Sequence, residues 1–160
     1  NKFKQKLFDF KNNYFLRYIN NPLLSKFSID EIMIIGSLIE KEGLDYEDKR
    51  LISSVIFNRL KKNMKLQIDA TVVYAITQGE FNIGRNINYD DLKINNPFNT
   101  YKIKGLPPKP ISYVGTKTIE LIMENYKTNY LFYFYNAFEK KHIFSENYKN
   151  HIKKLNEYRE

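Results

Sequence analysis

The sequence predicts an α+β fold that is mostly helical, with one short β-hairpin near the C-terminus. Apolar residues recur at steps of three and four in segments that begin with capping side chains, which is typical of helices packed on a core. An aromatic run from Tyr130 to Tyr135, a polar turn and a short run from His142 to Phe144 indicate two paired strands. At 160 residues and 42% hydrophobic content, the chain is expected to form one domain, residues 1–160.

The composition limits the surroundings in which the protein can work. The net charge of +8 favours a polyanionic partner such as nucleic acid, anionic lipid or an anionic polymer. The chain has no cysteine for a disulfide or a thiolate metal site, and it contains no 18-residue apolar run. Because it begins at Asn1 without an initiator methionine, we expect a soluble fragment whose targeting or anchoring segment lies upstream.

Residues 1–27 are predicted to form a leading helix and a connector. The helix is expected to run from Lys2 to Tyr18 and to end before Asn20-Asn21-Pro22. It should dock on the core through a stripe at helical spacing: Phe3, Leu7, Phe10, Tyr14 and Tyr18.

The next helix is the best delimited in the sequence. Ser28 followed by Glu31 predicts a capping box at its start, and Gly43 is expected to end it in the left-handed conformation. Apolar residues cover nearly its whole circumference, so the helix should be buried. Glu40 and Glu42 stand at its C-terminal end, where burial and the negative end of the helix dipole should both raise a carboxyl pKa.

A carboxyl group that keeps its proton near neutral pH suits general-acid catalysis. Glu40 and Glu42 lie about 200° apart around a helix, so they cannot face the same cleft. Glu40 shares its face with Gly36 and Ser37, whose small side chains would leave room for a substrate. The alternative is that both carboxylates lie at a solvated helix end and pair with Lys41 or Arg50.

The following segment offers two further polar candidates. A helix is predicted to begin at Asp45, with Glu47 and Asp48 in its first turn, and a shorter one after an N-cap at Asp69, ended by Gly79. Capping is the structural explanation for Asp69, whereas Gln67 lies in a predicted extended stretch without such an explanation. The amide of Gln67 is therefore a candidate for facing a ligand.

The C-terminal half is expected to combine loops, a helix and the hairpin. Residues 95–101 are predicted to form a polar loop, and Gly105 to Pro110 a stiff, polyproline-like wall that suits either a groove or a linker. Thr116 and Ser145 are predicted to cap helices. The two histidines, His142 and His151, are too few and lack the carboxylate spacing for a metal site, so no metal or cofactor is expected.

Five separated motifs agree with one known family. In order along the chain they are Gly36-Ser-Leu-Ile-Glu-Lys-Glu42, Val55-Ile-Phe-Asn-Arg-Leu60, Met64-Lys-Leu-Gln-Ile-Asp-Ala-Thr-Val72, Asn99-Thr-Tyr101 and Gly105-Leu-Pro-Pro108. Together they resemble the endolytic peptidoglycan transglycosylases of the MltG or YceG-like type, over residues 28–155. The sequence departs from the family pattern at Lys109 and at Ser112 to Gly115, which concerns the shape of that loop.

The resemblance implies a lysozyme-like, helical catalytic domain. Its implied reaction is cleavage of the β-1,4 bond between N-acetylmuramic acid (MurNAc) and N-acetylglucosamine (GlcNAc), which leaves a 1,6-anhydroMurNAc end and makes the enzyme a lyase. Carried over by position, the catalytic glutamate falls on Glu40. One carboxyl group would suffice, because it could protonate the leaving oxygen and then accept the proton of the attacking sugar hydroxyl. The predicted substrate-binding residues are Glu42, Asn58, Gln67, Asp69, Asn99, Thr100 and Tyr101.

The same resemblance suggests where such an enzyme acts. It implies an anchor in the bacterial inner membrane and a LysM-like module, both upstream of this chain, with the catalytic domain facing the cell wall. Peptidoglycan glycan strands are the expected partner, with peptidoglycan synthases as candidate partners, a monomeric domain, and no nucleic acid. Termination of glycan polymerisation is a candidate role.

Two other readings of the residues stay open. One is a lysozyme-like muramidase in which Asp69 or Glu42 activates water, since two carboxyl groups are needed for hydrolysis. The other is a non-catalytic basic module that binds nucleic acid or glycan on aromatic platforms. Most aromatic residues fall on inward helical stripes or on the hairpin, where core packing explains them.

Overall fold

The structure, a computed structural model, describes residues 2–158. It confirms the prediction of a mostly helical α+β fold with a C-terminal hairpin. Short 3₁₀ turns occupy Leu16–Tyr18, Pro22–Ser25 and Asp91–Lys93. The main elements are α1 (Lys2–Phe15), α2 (Ile29–Glu42), α3 (Tyr46–Lys61), α4 (Asp69–Thr77), α5 (Thr116–Glu124), β1 (Phe132–Asn136), β2 (Lys141–Ser145) and α6 (Tyr148–Glu157).

Helix α2 is the centre of the core and packs against α3, α4 and α5. The predicted capping box is present, since the Glu31 N–H donates to Ser28 Oγ and the Ser28 N–H donates to the Glu31 carboxylate. The prediction for Gly43 is wrong, because this residue is extended at φ −84° and ψ 147°. A Cβ at Gly43 would lie 2.2 Å from Lys49 Cγ, so the glycine permits the close approach of α3.

Helix α1 docks differently from the prediction. Phe3, Leu7 and Phe10 are 57–71% exposed, so the N-terminal half of the expected stripe does not pack on the core. Contact begins at the other end, where Phe15 is buried and Tyr14 packs against the core cluster. The helix pattern was correct, but a period of three to four residues does not show which part of a helix meets a partner.

Two predicted caps lie elsewhere in the structure. Helix α3 begins where expected, and Asp45 is its N-cap, accepting from the Asp48 N–H. Asp69, however, is the first residue of α4 and not its N-cap, which is Ile68. The cap of α6 is Asn147 and not Ser145. Because the Asp69 carboxylate does not bind its own helix end, it is available to the neighbouring loop.

Two more boundaries differ from the predictions. Helix α5 begins at Thr116 after an N-cap at Gly115 that makes no side-chain hydrogen bond. The stretch before α4 is not a strand, since Gln67 has a φ of +52°. A left-handed conformation at a non-glycine residue costs free energy and is often found beside functional sites.

Strands β1 and β2 form an antiparallel hairpin in which Tyr133 pairs with Phe144 and Tyr135 pairs with His142. Helix α6 packs on both strands. The hairpin thereby stands beside the C-terminal end of α2, with Tyr133 reaching Glu42. Within residues 2–158, every helix is too short or too polar to cross a membrane.

Candidate active site

A cleft of about 430 Å³ opens where α2 ends, α4 begins and the hairpin meets α6. It combines acidic, basic and amide side chains with a wall of aromatic rings. Its lining residues are Glu42, Arg59, Leu66, Gln67, Asp69, Tyr101, Phe132, Tyr133, Phe134, Tyr135, His142, Tyr148 and His151. Charged groups beside aromatic faces in a concave surface are typical of a small-molecule or carbohydrate site.

Glu42 is the carboxyl group at the centre of this cleft. Its Oε2 accepts a hydrogen bond from the Tyr133 hydroxyl at 2.8 Å. Burial raises the pKa of Glu42 and the nearby charge of Asp69 raises it further, whereas the hydrogen bond from Tyr133, the charge of His142 and the hydrogen bond from the Ala70 backbone lower it. The net effect is a raised pKa, so Glu42 retains its proton to a higher pH than an exposed glutamate does.

Glu40 does not line the cleft, although it is only two residues away. Its Oε2 pairs with Lys49 Nζ at 2.6 Å, while its Oε1 accepts from the Thr118 hydroxyl at 2.5 Å and the Gly115 N–H at 3.0 Å. Burial alone would raise the pKa of Glu40, but these bonds outweigh it and leave the pKa lowered. The raised pKa that the sequence predicted for both carboxyl groups is therefore found at Glu42 and not at Glu40.

The space expected beside Glu40 is filled. A Cβ on Gly36 would lie 2.6 Å from Val114 Cγ1, so the loop before α5 packs directly on the glycine. Ser37 is completely buried, with its hydroxyl donating to the Ile34 carbonyl and accepting from the Ile111 N–H. The small residues allow close helix-to-loop packing and leave no room for a substrate.

Four of the predicted catalytic and substrate-binding residues come together in the cleft: Glu42, Gln67, Asp69 and Tyr101. The Tyr101 hydroxyl donates to Asp69 Oδ1 at 2.5 Å. Burial and this bond raise the pKa of Tyr101, which keeps the hydroxyl protonated. The strained backbone of Gln67 lies at the same edge. These side chains offer donors and acceptors that a sugar could use.

Asn58, Asn99 and Thr100 lie outside the cleft, because their polar groups are used to hold the backbone. Asn58 donates to the carbonyls of Thr128 and Tyr130, and the buried Asn99 donates to those of Leu92 and Ile94. The buried hydroxyl of Thr100 accepts from the Ile68 N–H and bonds Thr71. In the structure these three side chains hold the backbone around the cleft, and their contact with substrate stays a prediction.

Sequence reasoning assigned the hairpin aromatics to core packing and so missed the wall of the cleft. Tyr135 is 50% exposed and Tyr148 is 65% exposed, so each ring presents surface on which a sugar could stack. A usable signal was present, since a two-stranded hairpin is too small to cover so many aromatic side chains itself. Tyr133 and His142 were missed for the same reason.

Arg59 is a second missed residue, at the base of the same wall. Its side chain is buried and binds three backbone carbonyls, those of Leu131, Lys65 and Leu66, at 2.6–3.2 Å. Burial lowers the pKa of the guanidinium. These contacts fasten the end of α3 to the start of the hairpin and so fix the geometry of the cleft.

A larger groove of about 640 Å³ lies apart from this cleft. Gly105, Leu106 and Pro107 form one of its walls, as the predicted proline-rich wall would. Its lining is mostly apolar, and its one carboxylate, Glu31, is bound to the Ser28 N–H. Acid-base chemistry therefore points to the smaller cleft. Within residues 2–158, no cluster of three or more histidine, aspartate or glutamate side chains could hold a metal ion.

Comparisons with known proteins agree with one family. The family model described as YceG-like matches residues 2–157. The chain is 37% identical over 147 residues to the endolytic murein transglycosylase of Bacillus subtilis, and 33% identical over 136 residues to that of Streptococcus pneumoniae strain D39. These alignments cover 92% and 82% of this chain, but only 39% and 24% of the relatives.

A solved structure gives the same result. The crystal structure at 2.6 Å of a yceG-like protein from Listeria monocytogenes superposes with a TM-score of 0.76 at 36% identity. The match covers 87% of this chain and 44% of that one. The sequence motifs, the matched fold and the relatives together show that the chain belongs to the YceG-like family.

Proposed function

We propose that this chain is the catalytic domain of an endolytic murein transglycosylase, a lyase that cleaves the β-1,4 bond between MurNAc and GlcNAc. The observation that supports this most strongly is the Glu42 carboxyl group, which has a raised pKa and lines the aromatic-walled cleft of about 430 Å³. Family membership and the names of the relatives support the same activity.

Within this proposal, Glu42 is the proton donor and Glu40 is a structural residue. A general acid must hold a proton at working pH and must reach the leaving group. Glu42 meets both requirements, since its pKa is raised and its carboxyl lines the cleft. Glu40 has a lowered pKa and three bonds within the protein. The geometry therefore supports Glu42 over the residue that the motif comparison indicated.

The reaction follows from this placement. The Glu42 proton passes to the glycosidic oxygen of GlcNAc, and the C1–O bond of MurNAc breaks with its electron pair leaving on that oxygen. Positive charge develops at C1, and the ionised Glu42 in the same cleft stabilises it. The 6-hydroxyl of the same MurNAc then adds to C1 and gives its proton to a base in the cleft, which forms the 1,6-anhydro ring without water.

Substrate binding is assigned to the cleft residues whose polar groups remain accessible. Gln67 and the Asp69–Tyr101 pair can bind hydroxyl and N-acetyl groups, and the exposed rings of Tyr135 and Tyr148 can stack on pyranose faces. The net charge of +8 suits an anionic cell-wall polymer. Glycan strands are thus the proposed partner. Synthases as partners, attachment to the inner membrane, a role in ending polymerisation and a monomeric state belong to the same proposal.

Product analysis in heavy-oxygen water tests the reaction type. Purified glycan strands digested by this protein in ¹⁸O-water should yield anhydroMurNAc ends that carry no label. The result that would overturn the proposal is ¹⁸O in the reducing-end MurNAc, which would identify water as the nucleophile. That outcome would favour the muramidase alternative, with Asp69 as the second carboxyl group beside Glu42.

A further inference from the structure

The cleft holds a second proton-carrying group, the imidazole of His142 with Asp48 behind it. We propose that His142 is the base that accepts the proton of the attacking sugar hydroxyl, and that Asp48 positions its ring. This inference rests on the proposed function and assigns the second proton transfer of that reaction to a residue other than Glu42.

The pair is buried and geometrically defined. His142 Nδ1 lies 3.0 Å and 2.8 Å from the two carboxylate oxygens of Asp48. The side chains are only 7% and 11% exposed, respectively. Asp48 is itself held, because its Oδ2 accepts from the Leu44 N–H at 2.9 Å. A carboxylate fixed in this way sets the orientation of the imidazole ring.

This contact determines which nitrogen can act as a base. Both Asp48 oxygens are acceptors, so Nδ1 of a neutral His142 carries the hydrogen and Nε2 carries the free lone pair. Nε2 makes no hydrogen bond to any residue from 2 to 158 and, unlike Nδ1 of His151, it is not sealed from solvent. His142 lines the cleft, and because Asp48 holds Nδ1, Nε2 is the ring nitrogen left for a bound sugar.

Tyr133 connects the two proton carriers. Its hydroxyl donates to Glu42 at 2.8 Å, and its ring meets the His142 ring edge-on at a centroid distance of 5.3 Å. The titratable groups facing His142 are Asp48 from α3, Glu42 from α2, and Tyr133 and Tyr135 from β1. A carboxyl group and an imidazole that line one cleft can divide the two proton transfers between them, Glu42 as the acid and His142 as the base.

The proton balance of the step is complete. Glu42 gives its proton to the leaving GlcNAc oxygen as the C1–O bond breaks. MurNAc O6 then forms a bond to C1, and the proton of that hydroxyl moves to His142 Nε2. The products are an anhydroMurNAc end, a free GlcNAc hydroxyl, ionised Glu42 and protonated His142. Transfer of one proton from His142 to Glu42 through solvent restores both residues.

Two variants of His142 can distinguish a catalytic base from a residue that only pairs with Asp48 to hold the fold. His142→Asn places an amide N–H near the position of Nδ1, so it can keep the Asp48 bond while removing Nε2. His142→Gln reaches the position of Nε2 but cannot titrate. If His142 is the base, both folded variants should lose 10²–10⁴-fold in kcat, with KM changed much less. A pair that merely ties β2 to α3 would leave kcat of His142→Asn near the wild-type value.

The pH profile supplies a second discriminating readout. A base must be neutral to act, so wild-type kcat/KM should rise with pH on the acidic side of its optimum, and this rise should vanish in His142→Asn. If Glu42 alone moved both protons, no such rise would occur in wild type. Asp48→Asn should lower kcat less than His142→Asn, because the ring remains but its orientation and charge partner change.

Imidazole ¹⁵N NMR tests the geometry without turnover. The chain has only two histidines, so the signals can be assigned with the His142→Asn variant. We expect neutral His142 to carry hydrogen on Nδ1, and its Nε2 signal to shift when a MurNAc–GlcNAc oligosaccharide is added. Hydrogen on Nε2, or wild-type turnover by folded His142→Asn, would overturn the assignment. An active wild-type protein that forms no anhydro ends would instead overturn the proposed function, and the assigned step with it.

Discussion

The last turn of α2 carries two glutamates, Glu40 and Glu42, whose surroundings differ. On one side, Glu40 binds Lys49, Thr118 and Gly115 and joins α2 to α3 and α5. On the other, Glu42 binds the Tyr133 hydroxyl inside an open cleft. Both carboxyl groups experience the same negative end of the helix dipole. Nevertheless, the pKa of Glu40 is lowered and that of Glu42 is raised.

The difference shows that a helix end does not by itself set the pKa of its carboxyl groups. Burial acts on both glutamates and favours the protonated form of each. Glu40 escapes this effect because a cation and two donors satisfy its charge, whereas Glu42 has another carboxylate, Asp69, nearby. The ion pair keeps the pKa of Glu40 low, whereas the hydrogen bonds to Glu42 do not outweigh burial and the Asp69 charge.

The largest effect is expected from Glu42→Gln. This change keeps the size and hydrogen-bonding capacity of the side chain but removes the acidic proton, so kcat on glycan strands should fall by about 10²–10⁴-fold. Stability should hold or rise at neutral pH. Because the pKa of Glu42 is raised in the folded state, the stability that its protonated form contributes is lost as the pH rises through that pKa. Turnover and thermal melts of the purified variant check both outcomes.

Glu40→Gln should produce the opposite pattern and is the matched control. Loss of the Lys49 pair should cost about 1–3 kcal/mol of unfolding free energy, while turnover by the folded protein stays within a few-fold of wild type. Because the pKa of Glu40 is lowered, its stabilising contribution is present above the unfolded pKa and is lost as pH falls through the folded value. The difference in Tm from wild type should therefore shrink on acidification. A folded but inactive Glu40→Gln would return the proton donor to Glu40.

Tyr133→Phe tests whether the Tyr133 hydroxyl sets the pKa of Glu42. The hydroxyl lowers the Glu42 pKa, so its removal should raise that pKa and move the alkaline limb of the kcat/KM profile to higher pH. The loss in kcat should be about tenfold or less, because one hydrogen bond contributes about 1 kcal/mol. An alkaline limb that stays in place would show that Glu42 is not the group titrating there.

Asp69→Asn should move the same limb in the other direction, with the smallest change at the optimum. The Asp69 charge raises the pKa of Glu42, so removing it should lower that pKa and bring the alkaline limb to lower pH. Profiles measured at two ionic strengths provide the control. Added salt screens an accessible charge, so it should bring the alkaline limbs of the wild-type protein and Asp69→Asn closer together. If Glu42 is the group that titrates there, the alkaline limb must move to higher pH in Tyr133→Phe and to lower pH in Asp69→Asn.

The sequence predicted the elements better than the site because caps and periodicity are local. The Ser28–Glu31 box and the Asp45 cap each act over three residues. By contrast, Glu40 is bound by Lys49 nine residues away and by Thr118 78 residues away, and Glu42 by Tyr133 91 residues away. No local pattern contains these contacts, and they decide which glutamate faces the cleft.

The same limit applies to the polar candidates. Asn58 and Asn99 stand in motifs rich in polar residues, but only the fold shows that their amides hold backbone carbonyls. The capping interpretation of Asp69 was wrong because the preceding Gln67 turns in the left-handed conformation, and α4 then starts one residue earlier than a cap there would allow. Backbone geometry of this kind has no clear signature at a non-glycine residue.

A carboxyl ¹³C NMR titration can show directly which of Glu40 and Glu42 holds its proton to higher pH. The signals can be assigned with the two glutamine variants and followed across the acidic to neutral range. We expect Glu42 to titrate above the pKa of an exposed glutamate, about 4.3, and Glu40 to titrate below it. A pKa of Glu40 above that of Glu42 would rule out Glu42 as the proton donor, because the proton available for catalysis would then lie on Glu40, outside the cleft.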